Sequence, residues 1–265
     1  MKKLILAAFS IFLATSLHAQ KQVPEATELY VDLEKITPGE GTNAPSDAIV
    51  LFDGSDLEKW QSAQRGVGAG SMLDLKTIIP SLSAEGKGSP APWKVDDNEL
   101  VVEPGTGFIE TRQGFADVQL HIEWLAPAAE GKSGQLYSNS GVFFMGMYEV
   151  QILNSYENPT YNNGQASSVY KQHIPLVNAS KPVGEWQEYD IVFMAPKFSD
   201  KGTLVSPAKV TVFHNGVLVQ NNVELLGPTC YIGTPYYVAH ESKLPLALQD
   251  HGDPMRFRNI WIREL

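Results

Sequence analysis

The chain has 265 residues, of which 43% are hydrophobic, with a formal charge of −10 and a single cysteine, Cys230. That length and apolar content suit one large or two small domains with a true core. The acidic balance argues against nucleic acid and anionic membrane as partners. One thiol excludes an internal disulfide, so the fold must stand on packing alone.

Taken in order, Met1 to Ala19 reads as a secretory signal: Lys2 and Lys3, an apolar run from Leu4 to Leu17, then a small residue before Gln20. The run is too short for a spanning helix. No cysteine follows it, so no lipid anchor is expected. The expected location is the periplasm or the outside of the cell. Residues 20–47 are polar and end in TPGEGTNAP, an N-terminal extension or strap. The domain proper is expected over 48–265. It opens with the strand AIVLF and an Asp53-Gly54 turn. Residues 62–92, rich in Gly, Ser and Pro, read as mostly loop. WKVDDNELVV reads as two strands about Asp96-Asp97-Asn98.

From Asp117 to Trp124 the chain alternates. Val118, Leu120, Ile122 and Trp124 share one face; Gln119, His121 and Glu123 share the other. The stretch NSGVFFMGMYEVQILNSY, from Asn139 to Tyr156, ends in the same way. Val150 and Ile152 face a core while Glu149 and Gln151 face outward, a carboxylate and an amide together, with Tyr148 and Tyr156 close by. That combination suits a carbohydrate-sized polar ligand; a solvated strand face gives the same pattern. DIVFM (190–194) is another strand. Lys209 to Gln220 is a hairpin about Asn215-Gly216, two residues that tolerate positive φ; His214 beside it is expected to face solvent. Leu246 to Gln249 and Met255 to Glu264 are the final strands. Short strands with turns between them, and no sustained helical period, predict an all-β sandwich of two antiparallel sheets.

Several segments resemble one family in the same order. They are LFDGSDLEKW, WKVDDNELVV, SGVFF followed by YEVQILN, KPVGEWQEYDI, HNGV and LQDHGDPMRFRNIWIREL, together spanning about 49–265. The family is that of the 3-keto-disaccharide hydrolases. The resemblance implies a concanavalin A-like jelly roll with its ligand on the concave sheet, and action on glucosides oxidised to a ketone at C3.

A standard retaining glycosidase needs two carboxylates about 5 Å apart. The outward positions here read Glu149, Gln151, Leu153, so this strand alone supplies one. A 3-keto sugar needs only a base for the C2 proton, a donor or cation at O3 and an acid at the leaving oxygen. Glu149 is the expected base, with Glu123 and His121 next. His173 is the candidate acid, and Lys171 or Arg258 would polarise O3. Gln151, His121, Tyr170 and His251 complete the expected binding set. His121, Glu123, Glu149, Gln151 and His173 are expected to line one pocket, His173 mainly through the resemblance. Arg256 and Arg258 could equally pair with Asp250 or Asp253, and Trp60, Tyr236 and Tyr237 could stack on a sugar. A divalent metal could draw on His121, Glu123, Glu149, His173 and His251, none of which has a sequence-local ligand spacing. No cofactor is required. Three alternatives stay open: a carbohydrate-binding module without catalysis, an ordinary glycoside hydrolase, and a structural calcium-bearing sandwich. The sequence carries no signal for an oligomeric state.

Overall fold

A computed structural model describes residues 23–64, 68 and 70–265. The signal-like segment therefore lies outside the described residues. Among the described residues, those up to Lys35 belong to one unit, in which Pro24–Ala26 makes a 3-10 turn. Residues 36–265 form a second, compact unit.

The second unit contains fifteen strands and one short helix: β1 (Ile49–Phe52), β2 (Trp60–Ser62), α1 (Met72–Ile78), β3 (Lys94–Asp96), β4 (Glu99–Val101), β5 (Ile109–Phe115), β6 (Val118–Leu125), β7 (Asn139–Phe144), β8 (Tyr148–Leu153), β9 (Trp186–Met194), β10 (Lys197–Phe198), β11 (Leu204–Ser206), β12 (Lys209–His214), β13 (Val217–Glu224), β14 (Leu244–Leu248) and β15 (Arg256–Glu264). An eight-stranded sheet runs β13-β12-β9-β6-β15-β4-β3, with β1 also paired to β15. A five-stranded sheet runs β2-β5-β14-β7-β8, and β10 and β11 form a small ribbon. Among the described residues every strand pairing is antiparallel, and the two large sheets make a β-sandwich of the jelly-roll kind.

Strand alternation decides what fills the middle. Val118, Leu120, Ile122 and Trp124 of β6 and Tyr148, Val150 and Ile152 of β8 are all buried in one hydrophobic core. Phe144 of β7 stacks on Phe193 of β9 at 4.6 Å between ring centroids, and Tyr189 meets Trp124 edge-on at 5.4 Å. The turns have the chemistry their geometry requires. Asp97 and Asn98 (φ 55° and 59°), and Asn215 and Gly216 (φ 51° and 77°), occupy the left-handed region that tight hairpins use.

Three local expectations change. The presumed loop over 62–92 contains α1, capped by Ser71, whose hydroxyl accepts from the Asp74 N–H. Trp60 is fully buried, donating its indole N–H to the Leu51 carbonyl at 2.9 Å, so it cannot stack on a ligand. His214 is buried, not solvent-facing: its Nε2 lies 3.1 Å from Gln187 Oε1. Burial, with a smaller contribution from Lys181, pushes it down to about 3, so it packs as a neutral ring. Its inward parity on β12, shared with Val210 and Val212, outweighs its nearness to the turn.

Candidate functional site

The outer face of the five-stranded sheet carries a cavity of about 380 Å³. Its floor is the β7–β8 hairpin. The register sets Phe143 opposite Glu149 and Gly141 opposite Gln151, so these four positions share the outer face. A Cβ at position 141 would lie 2.6 Å from Glu149 Oε1 and 2.8 Å from the Phe143 ring. Gly141 is therefore what lets the carboxylate lie flat across the neighbouring strand.

Glu149 is 4% exposed. Burial pushes its carboxyl up to about 8. The Gln151 amide lies against the Glu149 carboxyl: in one orientation it donates to Glu149 Oε1 at 2.9 Å and to the Ser140 carbonyl at 3.2 Å, in the other to Gln135 Oε1 at 3.2 Å and Asn139 Oδ1 at 3.4 Å. The Glu149 N–H donates to Thr229 Oγ1 at 3.0 Å, fixing the strand beneath the side chain. Gln135, Asn139 and Gln249 give the cavity a polar wall, and Phe143, Tyr161, Tyr170 and Tyr231 an aromatic one. His251 also lines the cavity. Its turn is held by Asp250, which accepts from the Gly105, Gly107 and Gly252 N–H groups at 2.8, 3.0 and 2.8 Å. Among the described residues that line the cavity, Glu149 is the only carboxylate. An array of amides and aromatic faces around one buried acid can hold a sugar-sized ligand and move one proton.

The expected site residues divide between two places. Glu149, Gln151, Tyr170 and His251 line this cavity, and the Lys171 ammonium sits beside it, 4.1 Å from the Tyr161 ring centroid. His121 and Glu123 do not join them. They project from β6 on the outer face of the other sheet, where Glu123 pairs with Arg258 at 2.6 Å. Arg258 also lies over the Trp186 ring, at 4.0 Å, and so is not available to a ketone bound near Glu149. The expectation of one pocket for His121, Glu123, Glu149, Gln151 and His173 is thus overturned. Strand parity separates inward from outward, and a sandwich has two outward faces.

His173 closes a turn beyond β8, with its Nε2 2.8 Å from the Glu224 carbonyl, and is not in the cavity wall. Neither arginine pairs with Asp250 or Asp253: Arg256 binds Glu99 and Asp96, and Asp253 binds Lys132. Tyr237 donates to the Leu225 carbonyl and accepts from the Ala208 N–H, both at 2.8 Å. Among the described residues no three His, Cys, Asp or Glu side chains gather as a metal-binding group, so the five donors named from sequence do not converge. Sequence reasoning missed Gln135, Tyr161, Thr229, Tyr231 and Gln249. Of these, Gln249 could have been found, since it follows Leu248 of β14 and its N–H donates to the Gly141 carbonyl at 3.1 Å.

A model of the 3-keto-alpha-glucoside-1,2-lyase-like domain matches residues 47–263. A 3-keto-disaccharide hydrolase of Bacteroides thetaiotaomicron is 23% identical over 295 residues, covering 95% of this chain and 91% of that protein. The crystal structure of a candidate glycosyl hydrolase from Parabacteroides distasonis is 43% identical, covers 92% of this chain and 97% of its own, and superposes with a TM-score of 0.79. A second candidate glycosyl hydrolase from that organism, 18% identical and covering 83% of this chain and 94% of its own, shares the fold with a TM-score of 0.53. With the family model spanning nearly the whole sandwich, this chain belongs to the 3-keto-alpha-glucoside-1,2-lyase-like family.

Proposed function

We propose that this protein cleaves glycosides oxidised to a ketone at C3, by removing the C2 proton and eliminating the group on C1. The observation that carries the reading is Glu149: one buried carboxylate, shifted to about 8, with no second carboxylate among the described residues of the cavity wall. A two-carboxylate glycosidase mechanism lacks its partner there. A ketone changes the requirement, because it acidifies the neighbouring C–H. The shift makes Glu149 a better base than a carboxylate in water, bringing it near the working pH. The Bacteroides relative, named for hydrolysis of 3-keto-disaccharides, supports the same substrate class.

Glu149 takes the proton from C2, and the electron pair delocalises onto O3. The pair then forms the C1–C2 double bond as the glycosidic oxygen leaves C1. Water adding across that bond completes a net hydrolysis. The amides of Gln135, Asn139 and Gln151 position hydroxyls, and the tyrosines cover the ring. Release of the unsaturated sugar and release of the hydrated sugar are two endpoints of this one chemistry. The signal-like Met1 to Ala19 supports export to the periplasm or beyond. No helix among the described residues is long and apolar enough to cross a membrane.

The test is a 3-keto-disaccharide in deuterated water. The wild-type protein is expected to place deuterium at C2 and to generate an ultraviolet-absorbing enone. kcat/KM should rise with pH and level off above about 8, because the base must be ionised. Glu149→Gln should lower kcat by about 10²–10⁴ with little change in binding. Equal cleavage of the unoxidised disaccharide, or full activity of Glu149→Gln, would sink the reading.

A further inference from the structure

We propose that Tyr170 is the general acid that protonates the departing glycosidic oxygen, with Tyr161 and Lys171 as its positioning residues; this rests on the elimination chemistry proposed above.

Elimination from C1 expels an oxygen that is strongly basic when its aglycone is a sugar. That step needs a proton donor, and His173 cannot be it, being turned to the Glu224 carbonyl outside the cavity. Tyr170 is placed for the task by the backbone. It follows Val169, which bridges to Val150, and its own N–H faces the Glu149 carbonyl at 3.4 Å. The phenol and the base are therefore held on adjoining backbone and line one cavity.

The Tyr170 hydroxyl lies 2.6 Å from that of Tyr161. Tyr161 is itself closely seated: a Cβ at position 164 would come within 2.1 Å of its ring, so Gly164 makes the space. Lys171 adopts φ 63°, a left-handed conformation that is strained for a non-glycine residue and persists only where its surroundings enforce it. The enforcement is visible. The Lys171 N–H donates to the Asn163 carbonyl at 2.8 Å, and the Gln172 and His173 N–H groups both donate to the Val169 carbonyl, at 2.8 and 2.9 Å. The turn sets the ammonium 4.1 Å from the Tyr161 centroid, 5.1 Å from that of Tyr231 and 5.9 Å from that of Tyr170. A cation among phenols stabilises the phenolate left when one of them gives up its proton.

Burial, and next the hydrogen bond with Tyr161, hold the Tyr170 phenol above its ordinary range, so it carries its proton at every working pH. The C1 oxygen takes that proton as its bond to C1 breaks, and the Lys171 ammonium offsets the charge left on the phenol. The balance is closed. The C2–H bond breaks and its proton goes to Glu149. Its electron pair forms the second C1–C2 bond. The C1–O pair stays with the departing oxygen, which takes the phenolic proton. Glu149 is left neutral and Tyr170 a phenolate. Loss of one proton from Glu149 and return of one to Tyr170 through Tyr161 and solvent restores both.

The experiment compares two substrates that differ only in the leaving group: a 3-keto-disaccharide, and the 3-keto-glucoside of p-nitrophenol, whose anion departs without a proton. Tyr170→Phe should slow cleavage of the disaccharide by about 10²–10⁴ and that of the aryl glucoside far less. Deuterium exchange at C2 should persist on both. Lys171→Met should slow the disaccharide selectively, with activity recovered in Lys171→Arg. An equal loss on both substrates would overturn the assignment, since an acid acts on the leaving group alone. An unchanged disaccharide rate would also overturn it, as would a disaccharide-selective loss in His251→Gln with none in Tyr170→Phe. A wild-type protein that neither exchanges C2 nor cleaves the aryl 3-keto-glucoside would bring down the elimination reading itself. Exchange retained with leaving-group dependence lost would bring down only Tyr170.

Discussion

The two outer faces of the sandwich carry two buried glutamates on the same kind of alternating strand, and their surroundings treat them in opposite ways. Glu123, on β6, is met by Arg258 at 2.6 Å, by the Asn259 amide at 2.9 Å and by the Thr42 hydroxyl at 3.2 Å. Burial alone would raise its carboxyl, but the hydrogen bonds of Asn259 and Arg258 and the charge of Arg258 outweigh it, and it lies below the usual range. His121 beside it is likewise engaged, with Nδ1 2.7 Å from Asp190 and its ring stacked on Trp261 at 5.4 Å. At Glu149 burial prevails, and the carboxyl rises. A carboxylate that neighbours neutralise holds a fold together. One that burial raises is held ready for a proton.

The comparison can be tested through stability. The Glu149 carboxyl is favoured neutral in the folded protein, so its contribution is fully present below about 4.5 and is lost as pH rises toward 8. Glu149→Gln, which cannot ionise, escapes that loss. Chemical denaturation should find it more stable than wild type by on the order of 3 kcal/mol at neutral pH, with the difference vanishing near pH 4. Glu123→Gln should go the other way. The depressed carboxyl stabilises the fold above its ordinary range and ceases to as pH falls through its folded value. Removing that charge at pH 7 should cost about 1–3 kcal/mol, because Arg258 loses its partner, and activity on a 3-keto-disaccharide should barely change. The smallest effect is expected at the strap. Thr42→Val removes a hydroxyl that faces both Glu123 and Asn259, and should lower the melting temperature by an amount equivalent to about 1 kcal/mol. Equal and same-signed shifts in the two glutamate variants would erase the distinction between the faces.

Alternation and turn chemistry made the sandwich readable before any coordinates. The parity of Val118 to Trp124 and the Asn215-Gly216 hairpin appear as drawn. The outward set Glu149 and Gln151 was equally plain, since both lie on one strand. What could not be read was which outer face a given strand contributes to. That depends on strand order, and β6 lies between β9 and β15, far apart in sequence. Residues on irregular segments were hidden for a related reason. Tyr161 and Tyr231 have no periodicity to mark them, and their place depends on the turns over 161–173 and 227–233. His173 shows the converse: its residue type invited a chemical role that its backbone does not permit.

One feature of the large sheet bears on how the chain comes to be folded. β15 pairs with β6 on one side and with β4 and β1 on the other, so the neighbours on both sides meet only through it. Until residues 256–264 have left the ribosome, β6, β4 and β1 each have an edge with nothing to bond, and the core beneath them is uncovered. Ordering of the large sheet must therefore await a strand far from β6, β4 and β1 in sequence, which makes folding non-local and slow. A polypeptide whose largest sheet stays open until β15 arrives is one that can still be threaded, handed on or degraded while it is being made.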